Sequence, residues 1–159
     1  MRYHTHVVTS CIAGITVANL TDTHLTAPLV AGLIVGSLFP DIDEPGSYVG
    51  RRSLGTSYII NFLFGHRGLT HSLFPVAILI FLFWQFPISL LLGFTAGYLF
   101  HILGDLFSKS GVPLFLPFSS KKYSIPIYTT GGMMEHIIFV ISVVYLLKIT
   151  GIFDIMKLF

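Results

Sequence analysis

The sequence predicts an all-α fold, a polytopic membrane helix bundle with about five apolar segments and a short interfacial helix. Three observations carry this. The residues are 53% hydrophobic and only 10% charged, with a mean hydropathy of +0.83, far from soluble usage. The apolar residues fall in runs of helical length, separated by polar, Pro- or Gly-containing turns. The scarce ionisable residues gather at the ends of those runs and not along them. A chain of 159 residues suffices for a single domain, 1–159.

In chain order, the first segment runs from about His6 to Leu20, apolar but studded with Thr, Ser and Gly. A polar turn, Thr21 to His24, precedes a second segment from about Pro28 to Phe39. Pro28 suits a first helical turn, and Pro40 ends the run. Asp41 to Ser57 reads as loop, and Tyr58 to Phe64 as a short helix lying in the membrane interface. The third segment runs from about Ser72 to Phe86, with Thr70 as its expected cap, leaving His71 in the first turn. Pro87, without a backbone donor, breaks it. The fourth runs from about Ile88 to Leu106, and the fifth from about Glu135 to Phe153 after a long polar loop. A hydrocarbon core of about 30 Å wants roughly 20 helical residues; the last two segments meet this and the others fall short. Gly14, Gly32, Gly36, Gly93 and Gly97 suit close helix packing.

With the amino terminus in the cytoplasm, the inner segments carry Arg2, Arg51, Arg52, Arg67, Lys109, Lys121 and Lys122, and the outer side keeps Lys148 and Lys157. This asymmetry satisfies the positive-inside rule and predicts a multi-pass protein of the cell membrane. A net charge of +2 gives no reason to expect a nucleic-acid partner. Lone Cys11 excludes an internal disulfide. A cleaved signal peptide is not expected, for no small-x-small site follows the first apolar run.

The same topology makes a test that composition alone does not. His6 begins the first segment, Asp41 and Asp43 end the second, and His66 and His71 precede the third. His101 and Asp105 end the fourth, and Glu135 begins the fifth. Alternating spans bring all of these to the cytoplasmic end. His101 and Asp105, four apart, share one helix face, and ionisable pairs in membrane helices are functional by default. His66 and His71, five apart, cannot share a face and take different parts. The expected metal ligands are His71, His101 and Asp105, with Asp41 and His6 completing the set. Imidazole and carboxylate donors without a usable thiolate suit a divalent ion, Zn foremost, or Mn or Fe. So many donors imply one or two ions, or supporting groups around one.

Pro40-Asp41-Ile42-Asp43, Gly65-His66-Arg67-Gly68 with Thr70-His71-Ser72, His101 through Asp105, and Ser110-Gly111-Val112-Pro113 with Pro117 together resemble the bacterial inner-membrane metal-dependent hydrolases. That family is also described as LexA-binding, inner-membrane-associated hydrolases. The resemblance extends from Thr5-His6 to Glu135 and implies a membrane-bound, metal-dependent hydrolase, with the substrate undefined.

Two functions follow. In the first, a metal-activated water at the cytoplasmic membrane face attacks a phosphoester or other lipid-like small-molecule substrate. Asp43, Glu135 and His66 are then the candidate acid–base residues, and Arg67 and Arg52 the anion binders. In the alternative, the protein binds metal without catalysis and docks a regulatory protein partner. The arginines also suit contact with membrane lipids. Ion transport is disfavoured, because the polar residues sit at one end and not along a pathway.

Overall fold

The structure, a computed structural model, describes residues 1–151. It is helical throughout, and no strand forms among the described residues beyond two isolated bridges. The helices are α1 (Tyr3–Leu20), α2 (Ala27–Gly36), α3 (Thr56–Phe64), α4 (Leu73–Gln85), α5 (Ser89–Leu106) and α6 (Met133–Ile149), with 3-10 turns at Phe39–Asp43, Gly50–Arg52 and Leu69–His71. The expected end of the last segment, to Phe153, lies partly outside the described residues.

Local chemistry accounts for the boundaries. Thr26 caps α2, its hydroxyl accepting from the Leu29 N–H at 3.4 Å, and Pro28 occupies the first turn. At α4 the expectation fails. Ser72, not Thr70, is the cap, accepting from the Phe74 N–H at 3.2 Å. Thr70 instead sits in the preceding 3-10 turn and donates to Asp43. His71 therefore lies before the helix, where a buried carboxylate holds it.

α5 is the central element, packed on α1, α2 and α4, while α6 packs on α1. The α2–α5 crossing is a backbone-to-backbone contact. Gly32 and Gly36 of α2 face Gly93 and Gly97 of α5; an added Cβ at any of the four would lie 2.0–2.1 Å from a carbonyl oxygen of the other helix. This is the small-residue packing that lets membrane helices approach closely. The 108–132 loop folds back over the end of α5. Leu106 and Phe107 carbonyls accept from the Ile125 and Ile127 N–H groups, and the Gly104 carbonyl from the Tyr128 hydroxyl. These bonds satisfy acceptors that a helix end leaves unpaired.

Polarity is distributed inside out. His6, His71, His101, Asp43, Asp105 and Glu135 are all but fully buried, whereas Phe62, Trp84, Met133 and Ile141 are exposed. The apolar core is small, built on Val76, Tyr98, Ile102 and Val112. Such an exterior suits lipid. Among the described residues one helix, α5, is long and apolar enough to cross a membrane by itself; α4 is apolar but shorter. The expected count of four to five spans therefore does not follow from the helices alone.

Candidate metal centre

Four elements converge on the end of α5. α1 brings His6, the 3-10 turn after α2 brings Asp41 and Asp43, the turn before α4 brings His71, and α5 itself brings His101 and Asp105. His71 Nε2 lies 3.2 Å from His101 Nε2, and each lies 3.6 Å from Asp41 Oδ1. Asp105 Oδ2 is 3.7 Å from His71 Nε2. Donors bound tetrahedrally at about 2.0–2.2 Å from one ion stand about 3.3–3.6 Å apart, so these separations match the edges of such a site.

The tautomers decide what the cluster wants. His101 Nδ1 lies 2.7 Å from the Ser37 carbonyl, which only accepts, so Nδ1 carries the proton and Nε2 the lone pair. His71 Nδ1 lies 3.0 Å from Asp43 Oδ2, which again leaves Nε2 unprotonated in the neutral ring. Two nitrogen lone pairs thus confront each other at 3.2 Å beside two carboxylates. Only a proton or a cation between them relieves the repulsion. Without metal, a proton serves: burial lowers the His71 pKa, but the Asp41 and Asp43 carboxylates beside the ring outweigh it and lift the imidazole to about 9. Burial likewise opposes ionisation of Asp41, yet the surrounding histidines hold it below the ordinary carboxylate range. His6 stacks on His101, ring centroids 3.7 Å apart. Its two ring nitrogens, though buried, make no hydrogen bond, and Nε2 points 3.4 Å from Asp105 Oδ1. An imidazole left unpaired among carboxylates fits a ligand waiting for an ion. The donor set, three imidazoles and two carboxylates, therefore fits zinc.

The other expected residues fall around this cluster. Asp43, wholly buried, accepts from His66 Nδ1 at 3.0 Å through Oδ1. Its Oδ2 accepts from His71 Nδ1, the Arg67 N–H at 3.1 Å and the Thr70 hydroxyl. It thus orients two histidines, the carboxylate–histidine arrangement common behind metal ligands. His66 is 41% exposed and helps line an open cavity. Arg67, at φ +56°, turns its guanidinium inward, to Asp105 Oδ2 at 2.8 Å and the Ser108 hydroxyl at 2.9 Å. The Met1 ammonium also contacts Asp105. Glu135 accepts from the Arg2 and Gly131 N–H groups, fastening the start of α1 to the loop before α6. Arg52 lies on the rim of the cavity, its guanidinium 3.9 Å over the Tyr48 ring.

Sequence reasoning missed three supports. The Ser37 carbonyl fixes His101, Asn61 Nδ2 donates to the Asp43 carbonyl at 2.7 Å, and Ser108 holds Arg67. A backbone carbonyl leaves no sequence signal. Asn61, by contrast, is the lone polar residue between Tyr58 and Phe64, and that isolation was a legible cue.

Fold and cluster define a helical protein with an apolar exterior and a buried His/Asp centre at the end of its central helix. The chain belongs to the YdjM inner membrane protein family, whose model matches residues 1–156. It is 39% identical over 119 residues to inner membrane protein YdjM of Escherichia coli K12, covering 69% of this chain and 60% of that protein. The Shigella flexneri protein of the same name matches equally. Bacillus subtilis YvsG is 30% identical over 113 residues, covering 69% of this chain and 70% of that protein. The match thus spans less than two thirds of the YdjM proteins' length. No solved structure matches. The inner-membrane location follows from the family.

Proposed function

We propose that this chain is a metal-dependent hydrolase of the inner membrane that cleaves a phosphoester. The observation that carries the reading is the pair of facing imidazole nitrogens, His71 Nε2 and His101 Nε2, 3.2 Å apart and ringed by Asp41 and Asp105. Beside them opens a cavity of about 620 Å³ that Asp41, His66, Arg51, Arg52 and Arg67 help to line. His71, His101, Asp41 and Asp105 would hold the ion, with His6 beside them. A divalent ion there supplies Lewis-acid charge and lowers the pKa of a bound water.

The chain's own residues do the rest. His66, in the cavity and oriented by Asp43 Oδ1, is the group placed to move a proton to or from the reacting ester. Asp43 acts through His66 and His71, not as a base of its own. Arg67 holds Asp105, and Arg52 faces the substrate. Glu135 positions α1, and with it His6. Purified protein is expected to release inorganic phosphate from phosphoesters, to lose that activity on chelation and to regain it with zinc. Metal retained at full occupancy without turnover on any phosphoester would leave the regulatory, partner-docking alternative standing.

We read the protein as multi-pass, with α5 its central span and the metal centre on the cytoplasmic side, on the strength of the Lys/Arg asymmetry. A cysteine placed at Ser119, in the loop that covers the end of α5, is expected to resist an impermeant thiol reagent in intact cells. It should react once the membrane is opened; labelling from outside would reverse the orientation.

A further inference from the structure

We propose that the cavity beside the metal centre takes the anionic, phosphate-bearing headgroup of a membrane lipid, presented laterally by the bilayer along α3. The inference rests on the hydrolase reading for the fate of the ligand, but not for its binding.

The cavity has a size suited to a headgroup, about 620 Å³. Four arginines line it, Arg2, Arg51, Arg52 and Arg67, against two acids, Asp41 and Glu44. Asp41 belongs to the metal cluster, and Arg67 is committed to Asp105 and Ser108. Arg51 spends Nε on the Gly46 carbonyl and Arg52 one Nη1 bond on the Tyr48 carbonyl, each at 2.8 Å. Each guanidinium has five N–H donors, so both keep several for an anion. Arg52 is also held in place: its guanidinium lies on Tyr48, whose other partner is the Tyr3 ring at 5.0 Å. A prefixed cation loses little freedom on binding. The site is built for an anion, and a phosphate fits the guanidinium fork.

The 3-10 turn that carries these arginines packs on α3, and α3 says where the anion comes from. The helix begins at Thr56, four residues after Arg52. Tyr58, Ile59, Phe62 and Leu63 form one face of it and are 69%, 62%, 88% and 62% exposed, with Leu54 fully exposed just ahead. The opposite side carries the helix's polar ties: Ser57 is buried, and Asn61 donates to the Asp43 carbonyl. An apolar face flanked by arginines is the pattern of a helix lying in the headgroup layer. The element that immerses that face therefore also holds the backbone of Asp43, whose carboxylate orients His66 and His71, and the arginine pocket opens beside it. A water-soluble ester would need the arginines but not the apolar face.

Native mass spectrometry of the full, zinc-loaded chain tests this without requiring turnover. Micelles are doped with equal phosphatidylglycerol and phosphatidylcholine, with and without excess glycerol phosphate. The expected result is preferential retention of phosphatidylglycerol, little displaced by glycerol phosphate. Retention should fall by about tenfold in the Arg51→Gln/Arg52→Gln double variant and also fall in Ile59→Glu/Phe62→Glu, with bound zinc unchanged in both. Equal retention of the two lipids by the unaltered protein overturns the proposal, and so does an undiminished preference in the arginine variant. Loss of the bound phosphatidylglycerol to excess glycerol phosphate overturns the lipid proposal and assigns the pocket to free phosphate esters. If lipid is retained as described but no phosphate is released, the binding proposal stands and the hydrolase reading fails.

Discussion

His101→Ala is expected to empty the metal centre and abolish hydrolysis with it. His101 is wholly buried at the end of α5, its Nε2 faces both His71 Nε2 and Asp41 Oδ1, and the His6 ring stacks on its face. Removing it leaves the ion without its most central ligand and strands the Ser37 carbonyl. Metal content after detergent purification should drop from near stoichiometric to background, while the helical circular-dichroism signal persists. Asp43→Asn should do less. It preserves size and an acceptor for one histidine but loses the charge that fixes both, and second-layer changes of this kind cost about 10–100-fold in metal affinity or activity. The order of the two effects matters: metal retained in His101→Ala but lost in Asp43→Asn would mean that the cluster had been read inside out.

Much of the centre was legible because helix periodicity is. His101 and Asp105 share a face at a spacing of four, and α1 ends at Leu20, where the apolar run stops, whereas α2 ends at Gly36, short of the expected Phe39, which joins the next 3-10 turn. The roles around the centre were less legible, for a physical reason. Thr70 was expected as a cap, Arg67 as an anion binder and Glu135 as an acid–base residue. Each takes instead a long-range hydrogen bond that only the folded chain offers. Arg67 is the sharpest case. Its left-handed backbone, just after Gly65 at φ +72°, sends its N–H to Asp43 and its guanidinium to Asp105. No side-chain spacing signals such a conformation in a residue other than glycine. The number of spans was illegible in another sense. α2 has 10 residues, about 15 Å of helix at 1.5 Å per residue, half a hydrocarbon core. Its Leu29, Gly32, Leu33 and Gly36 are buried, on the side that packs on α5.

That burial sets the second large effect. Gly97→Ala is expected to destabilise the protein and loosen the metal centre together. Its new Cβ would lie 2.1 Å from the Leu33 carbonyl oxygen and 2.8 Å from the Ser37 nitrogen. Both are backbone atoms of one neighbouring stretch, so no side-chain rotation relieves the clash and α2 must move away from α5. Ser37 would move with it, and its carbonyl is what holds the His101 ring in its metal-ready tautomer. Overpacking of this kind costs about 1–3 kcal/mol, so Tm in detergent should fall by roughly 5 °C or more, with a lower zinc occupancy in the fraction that remains folded. Gly14→Ala is the control. Its Cβ would meet only the Leu33 side chain, at 2.5 Å from a terminal methyl that can turn aside, so stability and zinc content should stay near those of the unaltered protein. The comparison separates crowding of two backbones from the mere addition of a methyl group to a glycine-containing helix. Equal losses in the two variants would remove the α2–α5 contact from its place as the support of the site. A Gly97→Ala protein with unchanged Tm but depleted zinc would mean that the crossing acts on His101 through Ser37 alone, without governing the fold.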